Sequence, residues 1–254
     1  MFRLATKFCP IPAAFETARA AGFRAAELWL DAEVLARGHR VLQTARAYPL
    51  YYALHFPNQH SLNSEAVKQA ALLCRDLECT AMVMHEPQFE LHATTLCRWE
   101  PDLPLAVENH DLHAGEFERW AQRHRKLALD VEHLWKYTLG DAPLGQLLDA
   151  LGKFLARFGQ KLQHVHLPGY RVGAAEHSPM HHSPEMVASV FSLLADHGFD
   201  KLVVSEANEE FQNEADLRQD VALFRRWRTA YASPDGQPSR TPDGAQGGSA
   251  HAAA

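Results

Sequence analysis

The chain lacks the features that would take it out of ordinary aqueous, reducing surroundings. No stretch of its 254 residues approaches the roughly 20 apolar residues of a membrane span. Its start, MFRLATKFCPIP, reads as a strand and a turn, without the apolar run and small-residue cleavage site of a signal peptide. Cytoplasmic residence is therefore expected. The four cysteines, Cys9, Cys74, Cys79 and Cys97, show no C-x-x-C spacing and are expected as reduced, mostly buried thiols. Basic charge is not in excess: the formal net charge is -6, which argues against a nucleic-acid partner gripped through phosphates. The basic runs HRVLQTAR and RRWR fall on predicted helices, where solvated charge explains them. Nor is there a phosphate-gripping glycine loop, since Gly169 and Gly173 stand isolated.

What is present is an alternation. With 46% hydrophobic against 22% charged residues the chain can bury a sizeable core. Predicted strands at about Arg3–Phe8, Arg24–Leu30, Leu50–Phe56, Ala81–His85, Leu105–Glu108, Lys126–Asp130, Gln163–Leu167 and Lys201–Ser205 alternate with helical patterns. Pro12 and Gly22 bracket the first helix, Asp31 is an N-cap for a helix running to Ala47, Ser64 opens another, and Pro184 suits a first turn. Between Glu86 and Pro104 only a short helical candidate, ELHATTLCRW, is expected. Eight strand-helix units need about 250 residues as a barrel. The expected architecture is a single (β/α)8 barrel over residues 1–232. After Ala232 the composition falls to Ser, Pro, Gly, Asp and Ala, so 233–254 is expected to be a disordered tail.

Seven strand ends are polar: Glu27, His55, His85, Glu108, Asp130, His166 and Glu206. In a parallel barrel all such ends open on one rim. Two positions earlier, on the same strand face, stand Ala25, Ala53, Val83, Ala106, Ala128, His164 and Val204, mostly small or β-branched, as a tight barrel interior requires. Leu54, Met84, Val107, Leu129 and Val203 alternate with them and are expected to meet the helices. Burying Glu108, Asp130 and Glu206 together without a cation would cost several kcal/mol per uncompensated charge. Glu108, Asp130, His166 and Glu206 are thus read as ligands of a divalent metal. Mn, Co, Mg or Zn all suit three carboxylates and one imidazole. His164 is expected beneath His166 as a packing or orienting residue, and His110 and Asp111 either orient Glu108 or cap the next helix. Glu27 is expected to bind substrate or hold a rim histidine. Trp29 and Trp135 are read as core, with an apolar stacking wall at the rim as the alternative.

The stretches GFRAAELW, HFP, VENH, LDVEH, HVHLPG and GFDKLVVSE, spread over residues 1–232, resemble the xylose-isomerase-like barrel superfamily. That group includes sugar and sugar-phosphate isomerases and epimerases and the endonuclease IV type of hydrolase. The resemblance implies that Glu108, Asp130, His166 and Glu206 hold one metal, with Glu108 and Glu206 as a proton-transferring pair. It further implies that His133, in D-x-x-H, contacts substrate or metal, and that Arg171 binds substrate hydroxyls. His177 matches the H-x-P histidine common in the superfamily's long loop, and His55 and His85 match positions that carry additional zinc ions in the endonucleases; with His133 these three are candidates for further metal or for substrate. The chain departs from that pattern at Ala175, where an aspartate is needed. His181 and His182 are candidate substitutes, although an adjacent pair in a loop reads as surface.

The leading expectation is a metal-dependent isomerase or epimerase with a small-molecule carbohydrate substrate. A multinuclear zinc hydrolase is the alternative, and a non-catalytic ligand-binding barrel is a third reading. Oligomeric state stays open, a homo-oligomer included.

Overall fold

The alternation closes on itself. In the computed structural model, which describes residues 1–59 and 61–233, strands β1 (Arg3–Phe8), β2 (Ala25–Trp29), β3 (Tyr51–His55), β4 (Met82–His85), β5 (Leu105–Glu108), β6 (Leu127–Asp130), β7 (Leu162–His166) and β8 (Leu202–Ser205) pair in parallel in chain order, and β8 returns to β1. The helices are α1 (Pro12–Ala21), α2 (Ala32–Ala36), α3 (Gly38–Arg46), α4 (Ser64–Asp76), α5 (Glu86–Trp99), α6 (Ala114–Arg123), α7 (Val131–His133), α8 (Leu144–Phe158), α9 (Pro184–Asp196) and α10 (Glu214–Ala232). The expected tail, apart from Ser233, lies outside the described residues.

The two strand faces separate as their side-chain sizes demand. Ala5, Ala25, Ala53, Ala81, Leu202 and Val204 form one buried cluster and Val83, Ala106 and Ala128 another. Together these small residues fill the barrel interior. Facing the other way, Val107, Leu129 and Val203 join one helix-lined core while Leu54 and Met84 join a second. Full burial of each such large side chain contributes about 1.5–3 kcal/mol.

Local signals set the helix ends. Pro12 opens α1, and Gly22 ends it in the left-handed region at φ 102°, where its N–H reaches back to Ala18 and Arg19 carbonyls. Asp31 caps α2 by accepting from Val34 N at 2.6 Å. The single helix expected from Asp31 to Ala47 is instead two, broken at Arg37 (φ −108°, ψ 21°) just before Gly38, whose backbone freedom removes the drive to continue one rod. The connection after β4 is not trimmed: α5 runs the full span Glu86–Trp99. Pro87 does not oppose it, because a first-turn N–H has no intrahelical partner to lose.

Register sets the height of each rim end. His85 lies level with Glu108, and Asp130 with His166. By contrast Glu27 is level with Ala53, two residues short of His55, and Glu108 is level with Ala128, two short of Asp130. The polar ends therefore climb around the mouth rather than lying in one plane, and side chains of different strands meet at different depths.

Candidate metal and proton-transfer centre

His166 is the hub. Its Nδ1 lies 3.2 Å from Glu108 Oε1, 2.8 Å from Glu206 Oε2 and 4.0 Å from Asp130 Oδ2. Atoms from β5, β6, β7 and the residue following β8 thus converge on one point. The ring's other nitrogen, Nε2, donates to the Glu27 carboxylate at 3.0 Å. That bond fixes the ring and directs Nδ1 at the three carboxylates, as a carboxylate behind a metal-ligating histidine does. Glu27 is fully buried beneath His166, 2.5 Å from His164 Nε2 and 3.5 Å from Lys7 Nζ. Of its two expected roles, burial fits the one that holds the histidine and does not fit contact with substrate. His164 is fully buried in the layer below, as expected.

Lys7 went unnoticed in the sequence. It follows Ala5 on the inward face of β1, level with Glu27, and its ammonium binds Glu206 Oε1. The signal was the same two-residue step that identified the other rim positions. Asn109 was missed in its bonding: its amide donates to Asp130 O and its Oδ1 accepts from Asp130 N, tying β5 to β6 just below the rim.

The electrostatics are those of a site short of positive charge. Among the described residues, Glu27, Glu108, Asp130 and Glu206 face Lys7 and His166 as cations, joined at the edge by His133, whose burial Asp130 and Glu108 outweigh to raise its pKa. Burial disfavours the imidazolium of His166, but Glu206, Glu27 and Glu108 outweigh it and raise its pKa well above the usual histidine value. Burial likewise opposes ionisation of Glu108 and Glu206; His166, with Lys7 also acting on Glu206, overrides it and holds both well below the ordinary carboxylate range. Asp130 goes the other way. Burial, with the nearby charges of Glu206 and Glu108, pushes it up. Among the described residues, Asp130 Oδ2, Glu206 Oε2 and His133 Nδ1 are buried without a hydrogen-bond partner. Three hard oxygens and an oriented imidazole around unsatisfied buried atoms are what a divalent cation requires. The residues present fit such an ion.

The remaining rim histidines fall on two sides of this set. His55 Nε2 contacts Glu108 Oε2 at 3.2 Å and His85 Nε2 lies 3.4 Å from the same oxygen. One ligand atom from each of His55, His85 and Glu108 lies within 4.8 Å of the others. On the other side, Asp130, His133 and His177 make a similar group. His133 Nδ1 is 3.8 Å from Asp130 Oδ2 and 3.9 Å from Glu108 Oε1. It is aimed inward by α7 and a π-helical turn over Leu134–Thr138, neither expected from the sequence. The cap of α7 is Asp130 itself, which accepts from His133 N at 2.8 Å. Arg171 is exposed and donates to His182 O; among the described residues no contact joins it to the rim set. His181 and His182 lie outside the barrel wall against α10 and cannot replace the aspartate missing at Ala175. Trp135 is core, with Nε1 donating to Ala142 O, whereas Trp29 is 40% exposed beside His55 in the register, against the core reading for it.

The loop after β7 delivers His177. Gly169 allows the loop to fold back: its N–H meets Ser178 O at 2.7 Å, and a Cβ there would fall 1.9 Å from Pro179 O. His177 sits at φ 56°, a left-handed conformation costing about 1–2 kcal/mol outside glycine. Glu132 holds it by accepting from His177 N at 3.0 Å, while Asn208 N donates to His177 O at 2.8 Å. Glu132 is buried, with Oε1 unpartnered among the described residues. Burial, then the charge of Asp130, pushes its pKa up to about 8. Its unfolded value is near 4.5, so the fold favours the protonated acid and loses stability as pH rises from about 4.5 through about 8. Glu132→Gln keeps the acceptor and cannot ionise. In metal-free protein it is expected to raise stability at pH 9 by ~1–2 kcal/mol, with relaxation absorbing the rest of the shift, and to change nothing at pH 4. Urea midpoints at the two pH values measure this; equal effects at both would refute it.

Fold and site together define a closed (β/α)8 barrel with a buried carboxylate–histidine centre at the C-terminal rim. No family model matches the chain, and no curated protein matches it. Solved structures do. An L-ribulose 3-epimerase is 15% identical with a TM-score of 0.54, the match covering 94% of this chain and 100% of that one. A D-allulose 3-epimerase from Methylomonas sp. is 12% identical with a TM-score of 0.59 over 89% of this chain and 97% of the other. A phosphoribosyl anthranilate isomerase from Thermotoga maritima is 14% identical with a TM-score of 0.51 over 89% and 100%. At such identities the shared property is the barrel.

Proposed function

We propose that the chain is a divalent-metal-dependent isomerase or epimerase acting on a ketose, aldose or related polyol. One observation carries the reading: Glu108 Oε1, Asp130 Oδ2 and Glu206 Oε2 gather about His166 Nδ1, and among the described residues buried Asp130 Oδ2 has no hydrogen-bond partner. It is supported by barrel neighbours that include two sugar 3-epimerases.

Glu108, Asp130, His166 and Glu206 would hold the metal, which when bound polarises a substrate carbonyl and its neighbouring hydroxyl and so acidifies the intervening C–H. Glu108 and Glu206 supply the proton chemistry. They stand on the β5 and β8 sides of the mouth, with β6 and β7 between them. One carboxylate removes the carbon-bound proton and the other returns one from the far face, inverting the carbon. Lys7 keeps Glu206 ionised as a base. Glu27 holds His166, and His133 and His177 face the substrate side of Asp130 and Glu206, where they bind hydroxyl oxygens.

A multinuclear zinc hydrolase is the second reading, favoured by the two flanking groups around Glu108 and Asp130. An anomalous-scattering map of protein purified without chelator separates the two. A single ion beside His166 supports the isomerase, whereas ions also at His55–His85 and His133–His177 support the hydrolase. Sugars and sugar phosphates incubated in deuterated water complete the test: deuterium at the carbon next to a carbonyl is expected for one of them. Uniform failure to exchange, with hydrolysis of an ester instead, would overturn the proposal.

A further inference from the structure

A second constellation of histidine and carboxylate lies outside the barrel wall. Val203 and Ser205 share the outward face of β8, opposite the face that leads to Glu206. Ser205 Oγ donates to Asp220 Oδ2 on α10 at 2.6 Å. Asp220 is fully buried, and its other oxygen accepts from His181 twice, from backbone N at 2.9 Å and from Nδ1 at 2.7 Å. With Nδ1 committed to Asp220, His181 presents Nε2 as a free lone pair, and it faces Asp216 Oδ1 at 3.6 Å. Asp216 is oriented in turn: Asn213 Nδ2 donates to its Oδ2 at 2.7 Å, leaving Oδ1 toward the histidine. His182 completes the group, its ring centroid 4.6 Å from that of His181 and backed by Phe211 at 5.7 Å.

We infer that His181, His182 and Asp216 form a zinc site separate from the rim. One ligand atom from each lies within 4.8 Å of the others, close enough for one ion to draw them in by side-chain rotation. Two imidazoles and one carboxylate leave a fourth tetrahedral position for water. The three residues are only partly buried, His181 at 13% and Asp216 at 24% side-chain exposure, so water reaches that position. The Asp220–His181 bond is the orienting carboxylate–histidine contact that metal-ligating imidazoles make, and it fixes the tautomer before any ion arrives. Asn213 holds Asp216 as part of the cap of α10, accepting from Ala215 N and Asp216 N, and a salt-bridge role explains Asp220 and His181, but neither accounts for His182 placed against His181. The ion would fasten the 3-10 turn Met180–His182, and with it the end of the loop carrying His177, to the first turn of α10.

The full chain, stripped with chelator and re-equilibrated with zinc chloride, provides the test. A map at the zinc absorption edge is expected to show a peak bounded by His181 Nε2, His182 and Asp216, with zinc–nitrogen distances of about 2.0–2.1 Å. His182→Gln and Asp216→Asn are partly exposed substitutions that spare buried Asp220, and each should bind one zinc per chain fewer than wild type. Absence of that peak at saturating zinc, or a zinc count unchanged in both variants, overturns the inference. Rim occupancy appears as a separate peak beside His166, so the two assignments succeed or fail independently.

Discussion

Glu206→Gln is expected to lower turnover about 100- to 10,000-fold while leaving the barrel folded, the range that loss of one proton-transferring group produces. The substitution preserves shape and leaves an amide oxygen able to face His166. It removes the basic oxygen and the negative charge. Lys7, which binds Glu206 in the wild type, keeps Glu27 within 3.5 Å and so is not stranded. Far-UV circular dichroism should therefore match the wild type, and metal content measured on the same sample separates loss of the base from loss of the ion. The assay is deuterium exchange into the substrate found by the sugar screen. A variant with full metal content and more than a tenth of wild-type exchange would remove Glu206 from the mechanism.

The second large effect concerns stability. His166→Ala should destabilise the metal-free protein by about 3–5 kcal/mol, because it strips the cation shared by Glu27, Glu108 and Glu206 from a buried cluster and leaves Lys7 and the flanking histidines to offset them. The pH dependence follows from the shifted groups. His166 has its folded pKa raised above an unfolded value near 6.5, so its contribution is complete below that pH and fades as pH rises through the folded value. Glu108 and Glu206 are depressed below about 4.5, so theirs is present above that pH and fades as pH falls. The cost of the substitution should be greatest between these limits and shrink toward alkaline pH. Urea unfolding of wild type and variant in chelator from pH 5 to pH 9 measures it. A loss below about 1 kcal/mol at every pH would mean that the cluster is relieved by water and that His166 is not its hub.

Much of the barrel and of its primary centre was legible because both depend on period-two alternation. Ala25, Ala53, Ala106 and Ala128 identify the inner face, and Glu108, Asp130 and His166 continue that face to the rim, with Glu206 just beyond. What escaped was tertiary in origin. Lys7 carries the two-residue step from Ala5, but its partner does not show in the sequence; only closure of β1 against β8 brings it to Glu206. Glu132 sits in the short α7 that follows β6, and neither that helix nor the π turn after it was expected from the sequence. The bond from Asp220 to His181 joins residues 39 apart, on elements whose juxtaposition exists only once α10 has packed. Two helix extents also differed: α5 fills Glu86–Trp99 where only a short helix was expected, and the helix expected from Asp31 to Ala47 breaks at Arg37.

The join between β1 and β8 has a consequence for how the protein comes into being. These are the first and last strands of the barrel to leave the ribosome, and Lys7 and Glu206 sit on either side of their seam. Until synthesis passes β8 the nascent chain carries Lys7 in β1 and Glu108, Asp130 and His166 in neighbouring strands, but not Glu206, and Lys7 waits without that partner. The centre is thus completed by the final long-range pairing of the fold, the step that contact order makes slowest. A chain stopped before β8 would have most of its secondary structure but an incomplete carboxylate–histidine cluster, so assembly of the cluster waits on closure of the barrel.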